Sequence, residues 1–175
     1  MIVINLFGSP GAGKSTGAAY IFSQLKMKGV NAELVTEFAK DKTWEENWTA
    51  LSNQIYIFGK QAYKIDRCAD KVDVIVTDAP LLLSLYYNND PRLKESFTDM
   101  VIGFFSSYNN LNYLVERDKP YNPAGRKQSE KEADGIYHKI KELLHTHKVD
   151  FTQVGGNIKG YDFIVKEALN AINKT

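Results

Sequence analysis

Residues 8–16 read Gly-Ser-Pro-Gly-Ala-Gly-Lys-Ser-Thr, and their types and spacing suit one task, which is to wrap a polyphosphate. The pattern G-x-x-x-x-G-K-[ST] is filled by Gly8, Gly13, Lys14 and Ser15. Glycines admit positive φ and let successive backbone N–H groups, those of Gly11, Ala12 and Gly13 among them, turn inward around an anion. Lys14 supplies a cation able to reach the β- and γ-phosphates, and Ser15 offers a hydroxyl to Mg²⁺. Thr16 closes the loop just before the helix expected next, whose positive dipole end faces the same phosphates. The loop is expected to bind a nucleoside triphosphate.

Two carboxylates stand where such a site needs them. Asp78 ends the run Val-Ile-Val-Thr-Asp-Ala-Pro. In a parallel α/β sheet, ligands sit beyond the carboxyl ends of the strands, so Asp78 should face the loop. It can hold Mg²⁺ directly or through water, or accept a proton; it can equally be a helix N-cap before Pro80. Glu37 closes a second strand-like run, in Thr-Glu-Phe-Ala-Lys-Asp. A carboxylate there can take the proton of an acceptor hydroxyl as a phosphoryl group arrives, or merely decorate a first helical turn. Lys40 and Asp41 are lesser candidates.

Cations come from residues 117–128, Arg-Asp-Lys-Pro-Tyr-Asn-Pro-Ala-Gly-Arg-Lys-Gln. The stretch has two prolines, a glycine and no apolar periodicity, so it is expected to be a lid loop. Arg126 and Arg117 are two of the four arginines in the chain, and guanidinium is a planar fork suited to phosphate oxygens. Lys119 and Lys127 are expected to face solvent. Asn53, Gln54, Gln61 and Arg67, beside Tyr56 and Tyr63, are groups that can read or stack on a base or sugar, although an aromatic-rich helix face is more often core.

These groups need a frame. Strand-like runs occur at Ile2–Phe7, Asn31–Thr36, Val72–Thr77, Asn112–Glu116 and Phe151–Val154. Near-continuous apolar strands alternating with helices predict a parallel sheet covered on both faces. Helices are expected over Gly17–Lys28, and from a Thr43/Glu46 capping box through Trp44, Trp48, Leu51, Ile55, Phe58, Ala62 and Ile65 as one long apolar face. Others are expected from Asp90-Pro91 to about Ser107, from a Ser129/Glu132 capping box to about His147, and over Tyr161–Ile172.

Composition narrows the classes. The 175 residues suit one domain, 43% of them are hydrophobic and 25% charged, and the net charge is +1. Those values are typical of a soluble globular domain and give no global signal for nucleic acid. One cysteine, Cys68, excludes a disulfide framework. No apolar run approaches about 20 residues, and the first strand opens at Ile2, so a cytoplasmic protein without signal peptide or membrane span is expected.

Taken together, Gly8–Thr16, Glu37-Phe38-Ala39-Lys40-Asp41, Thr77-Asp78 and Gly125-Arg126 before a helix resemble the P-loop nucleoside and nucleotide kinases. The likeness is greatest to the ribosylnicotinamide-kinase-like group and to small phage-encoded ATP-binding proteins labelled AAA. It implies a three-layer sandwich with a five-stranded parallel sheet in the order 2-3-1-4-5, ATP as donor, Mg²⁺, and an acceptor pocket between strand two and an arginine-bearing lid. Those kinases usually carry Glu-x-Ala-Arg where this chain has Lys40, and Asp-Gly-Thr-Arg where it has Asn-Pro-Ala-Gly-Arg.

The expected role is therefore a single-domain kinase (residues 1–175, lid about 117–128) moving the γ-phosphoryl of ATP onto a small nucleoside- or nucleotide-like acceptor. Glu37 as a base favours a hydroxyl acceptor. Lys14, Glu37, Asp78 and Arg126 are the expected catalytic groups; Ser15 and Asp78 hold the metal, and Arg117 joins the loop at the nucleotide. A kinase of hydroxymethylated bases in DNA would need a local basic track. A switch GTPase lacks its Asn-Lys-x-Asp motif here, and a motor would want an acid after Asp78, where Ala79 stands. A non-kinase ATPase is the remaining alternative.

Overall fold

The computed structural model describes residues 1–118, 120 and 129–173. Lys119, Arg126 and Lys127 fall outside the described residues, as does most of the expected lid. Strand β1 (Ile2–Phe7) is buried along its whole length, as a strand covered on both faces must be. Its alternate residues serve different cores: Ile2, Ile4 and Leu6 pack on one face, Val3 and Phe7 on the other.

The chain continues through α1 (Lys14–Met27), β2 (Ala32–Val35), α2 (Phe38–Trp44), α3 (Trp48–Ser52), α4 (Gln54–Asp66) and β3 (Val74–Thr77). It then forms α5 (Leu83–Tyr87), α6 (Glu95–Ser106), β4 (Asn109–Glu116), α7 (Glu130–Thr146), β5 (Thr152–Gly155) and α8 (Ile158–Ile172). The five strands make one sheet in the order β2-β3-β1-β4-β5, every neighbour parallel. This is the expected P-loop kinase fold.

Helices α1 and α8 cover one face through Ala18, Ile21, Leu25, Ile164, Val165 and Ala168. On the other face α4, α6 and α7 bury Phe58, Ile65, Phe97, Val101, Ile140 and Leu144. Since β1, β2 and β3 run the same way, their carboxyl ends bring Gly8, Thr36–Glu37 and Asp78 to one edge of the sheet. A crevice at that edge is where doubly wound sheets take ligands.

Three expected elements differ. The single long helix from Trp44 is three helices, because Asn47 and Asn53 each accept a hydrogen bond from a backbone N–H three residues on, at Ala50 and Tyr56, and so start new helices. The Thr43/Glu46 capping box does not form: Thr43 Oγ1 donates back to the Ala39 carbonyl, and Glu46 is in the left-handed region at φ 52°. Trp44, Trp48 and Ile55, expected on a buried face, are consequently exposed. Asp90-Pro91 forms a turn in which Asp90 accepts from the Arg92 N–H, and the helix begins only at Glu95; the preceding α5 was not expected. The Ser129/Glu132 capping box is present in full.

Candidate active site

The donor end is made mostly of backbone. Gly13 has φ 96° and caps the N-terminus of α1, so the first N–H groups of that helix point toward the loop. Gly8 has φ 148°, and a Cβ there would lie 2.7 Å from the Val115 carbonyl oxygen. A side chain at either place meets both strain and a neighbour. The ammonium of Lys14 donates to the carbonyls of Gly8, at 2.8 Å, and Ser9, at 3.1 Å, which folds the lysine over its own loop. Behind the loop, the Tyr161 hydroxyl of α8 donates to the Gly13 carbonyl at 3.0 Å, and its ring lies against Gly17, where a Cβ would come within 2.5 Å of it.

In front of the loop lies a cavity of about 270 Å³ lined by Ser15, Ala18, Leu34, Thr36, Glu37, Lys40, Asp41, Trp44 and Asp78. The structure thus brings together Ser15, Glu37 and Asp78, which lie on three separate segments. Asp78 is buried, and the helix that follows, α5, begins only at Leu83 with Leu82 at its N-cap position, so Asp78 is not a helix cap. Its Oδ1 is buried with no hydrogen-bond partner among the described residues. A buried carboxylate oxygen left so costs free energy unless a ligand satisfies it. One carboxylate and one hydroxyl facing the same cavity form a hard oxygen donor set, which suits Mg²⁺.

Glu37 is the N-cap residue of α2, yet its side chain makes no cap hydrogen bond and lines the cavity instead. Burial pushes its carboxyl above the ordinary value, and the Asp78 and Asp41 charges add to that, while Lys14 and Lys40 pull it down. Tyr87 of α5 stands close enough to feel Glu37: burial first, and then the Glu37 charge, push its hydroxyl far up.

The turn carrying Glu37 is clamped from α4. Gln61 is buried; its Oε1 accepts from the Phe38 N–H at 2.9 Å and its amide donates to the Thr36 carbonyl at 3.4 Å. Lys64 Nζ donates to the same carbonyl at 2.7 Å. Gln61, expected among groups that read a base, therefore holds the backbone of the turn that carries Glu37, because a buried amide takes the partners nearest to it. Gln54 is also buried, and Arg67 is at the surface, 3.9 Å from Glu33.

Arg117 does not line the cavity; its guanidinium donates to Asp134 of α7 at 2.8 Å. Trp44 was missed as a site residue, since helical periodicity assigned it to the core. The Asn47 and Asn53 caps were the signal that the periodicity is broken there.

A family model described as the AAA domain matches residues 3–160. Among solved structures, deoxyadenosine kinase from M. mycoides with bound dATP is similar in fold, with a TM-score of 0.52 at 18% identity, covering 96% of this chain and 99% of that one. No curated protein sequence matches, and no described helix is long and apolar enough to cross a membrane. The matched residues span the glycine loop between β1 and α1 and the strands that carry Glu37 and Asp78 at their ends, and the chain belongs to the AAA domain family of P-loop NTPases.

Proposed function

We propose that the chain is a phosphotransferase that moves the γ-phosphoryl of ATP onto a hydroxyl of a small nucleoside- or nucleotide-like acceptor. The observation that carries this reading is the single cavity in which Ser15, Glu37 and Asp78 meet in front of the phosphate loop. A hydrolase needs only room for water; a half-buried carboxylate beside a cavity walled by an indole gives a planar acceptor a place to sit. The deoxyadenosine kinase of like fold, which holds dATP, supports a nucleoside-type acceptor, as do the motifs shared with ribosylnicotinamide-kinase-like and small phage-encoded proteins.

In this reading the Gly8–Thr16 backbone N–H groups, those of Gly11, Ala12 and Gly13 included, hold the β-phosphate. Lys14 leaves the Gly8 and Ser9 carbonyls to reach the γ-phosphate. Ser15 Oγ and Asp78 would hold Mg²⁺, which when bound would neutralise charge on the phosphates. Glu37 accepts the proton of the acceptor hydroxyl, its raised pKa bringing it nearer the pH at which a general base works best. Trp44 stacks on the acceptor ring. Arg126, outside the described residues, closes over the migrating phosphoryl group, and Arg117 adds positive charge from the start of the same segment.

A screen with γ-labelled ATP against nucleosides, nucleotides and hydroxymethylated DNA tests the proposal. Label transfer to a free nucleoside or nucleotide is the expected result. Transfer to DNA alone moves the acceptor into a polymer, and release of labelled phosphate with no labelled acceptor makes the chain an ATPase.

A further inference from the structure

Tyr161 is 3% exposed, and a phenylalanine would fill its place in the core equally well. The hydroxyl is the part that the core does not need. Burying a hydroxyl costs free energy unless it is bonded, and this one donates to the Gly13 carbonyl at 3.0 Å. Burial pushes the phenol above its ordinary pKa, so it keeps its proton through the neutral range. The facing residues leave room for it. Gly17 lies inside α1 and has no left-handed φ, although glycine weakens a helix relative to alanine. A Cβ there would come within 2.5 and 2.9 Å of Cε1 and Cδ1 of the Tyr161 ring, and a Cβ at Gly13 within 2.5 Å of its hydroxyl oxygen. Two glycines thus admit one tyrosine.

The Gly13 carbonyl also accepts the Gly17 N–H at 2.8 Å, so two donors hold it from behind. The carbonyl and the N–H of one trans peptide point in opposite directions. With the Gly13 oxygen fixed, the Lys14 N–H of the same peptide faces out of the helix start, where an anion is held. Hydrogen bonds in a chain polarise one another. A phenol drawing on the carbonyl therefore makes that N–H a stronger donor to phosphate. Helix α8 has other ties to α1: Asp162 accepts from the Tyr20 hydroxyl at 2.7 Å, and Ile164, Val165 and Ala168 share a core with Ile21 and Leu25. Loss of the Tyr161 hydroxyl alone leaves those in place.

We infer that Tyr161 is a positioning residue for the nucleotide: through the Gly13–Lys14 peptide, its hydroxyl aims and strengthens one N–H of the phosphate cradle. The inference rests on that part of the proposed function in which the Gly8–Thr16 loop holds a nucleotide, and not on the acceptor. Titration calorimetry of the full chain with MgADP and with MgATP tests it. Tyr161→Phe, which keeps the ring, is expected to raise both dissociation constants about fivefold. Tyr20→Phe removes the other hydroxyl between the same two helices and is expected to leave both constants unchanged, although each variant lowers Tm. Gly17→Ala keeps the hydroxyl but crowds the ring, and is expected to weaken binding as well. Wild-type affinity in Tyr161→Phe overturns the inference, and so does an equal loss in Tyr20→Phe, which would reduce the tyrosine to helix packing. Should Tyr161→Phe not fold, wild-type affinity in Gly17→Ala overturns it instead. A wild type that binds neither nucleotide overturns it together with the proposed function, whereas binding without label transfer to any acceptor undoes the proposed function alone.

Discussion

The two ends of the cavity are built on different principles. The donor end is backbone: glycines at φ 148° and 96°, a helix start, and one lysine resting on loop carbonyls. The facing wall, proposed to take the acceptor, is side chains: Glu37 on a two-residue turn, held by Gln61 and Lys64 from a helix more than twenty residues on. Polyphosphate is the same in every nucleotide and can be met by a fixed backbone cradle. In the proposed reading an acceptor has its own shape, and the wall that would meet it is assembled from replaceable side chains on a two-residue turn and the short helix α2.

The sharpest way to break this contrast is at the donor end. Lys14→Ala is expected to lower phosphoryl transfer on the order of 10³-fold while leaving far-UV circular dichroism unchanged; retained turnover would remove the loop from the reaction.

At the wall, Glu37→Gln should cost about 10²-fold and also flatten the acid limb of the rate–pH profile. Wild-type rate should rise as pH passes through the raised Glu37 pKa, because the base must be ionised. The stability sign is opposite. A carboxyl whose folded pKa is raised binds its proton more tightly in the folded chain, so its contribution falls as pH rises from the ordinary value through the raised one. Urea titrations of wild type and Glu37→Gln across that window should converge at the acid end and separate in favour of the variant at the alkaline end.

Between the two ends sits Asp78. Asp78→Asn is expected to raise the Mg²⁺ needed for half-maximal rate by about tenfold, and to stabilise the nucleotide-free protein by about 1 kcal/mol, or about 2–4 °C in Tm. A lower Tm would mean the carboxylate has a structural partner after all.

Smaller effects separate acceptor from donor. Trp44→Ala should raise the acceptor KM severalfold, since one stacked ring is worth about 1–3 kcal/mol, and leave the ATP KM alone. Equal changes in both would place the indole outside the acceptor site. Last, Asn53→Ala removes the cap of α4 and should lower stability by about 1 kcal/mol with transfer nearly unchanged, as seen by thermal melts.

What the sequence disclosed follows the same division. The loop and the strands are legible because β1 is a continuous apolar run followed by a local motif, and because carboxylates at strand ends can face only one edge, whereas the sheet order is implied by the family resemblance that those motifs carry. The wall facing the loop was misread because Trp44, Trp48, Leu51 and Ile55 keep a helical spacing through residues that are not one helix. Asn47 and Asn53 decide that point, and their effect is local hydrogen bonding, which outweighs the apolar period. The Gln61 clamp had no sequence signal, since its partners at Thr36 and Phe38 are adjacent only after α4 packs beside β2.

The bond from Tyr161 to Gly13 joins residues 148 positions apart. The glycine loop is therefore made well before the residue that braces it. Until α8 has left the exit tunnel and docked, the nascent chain carries the full loop sequence without the brace behind it, so the loop's fixed form is a property of the docked α8 as much as of its own glycines.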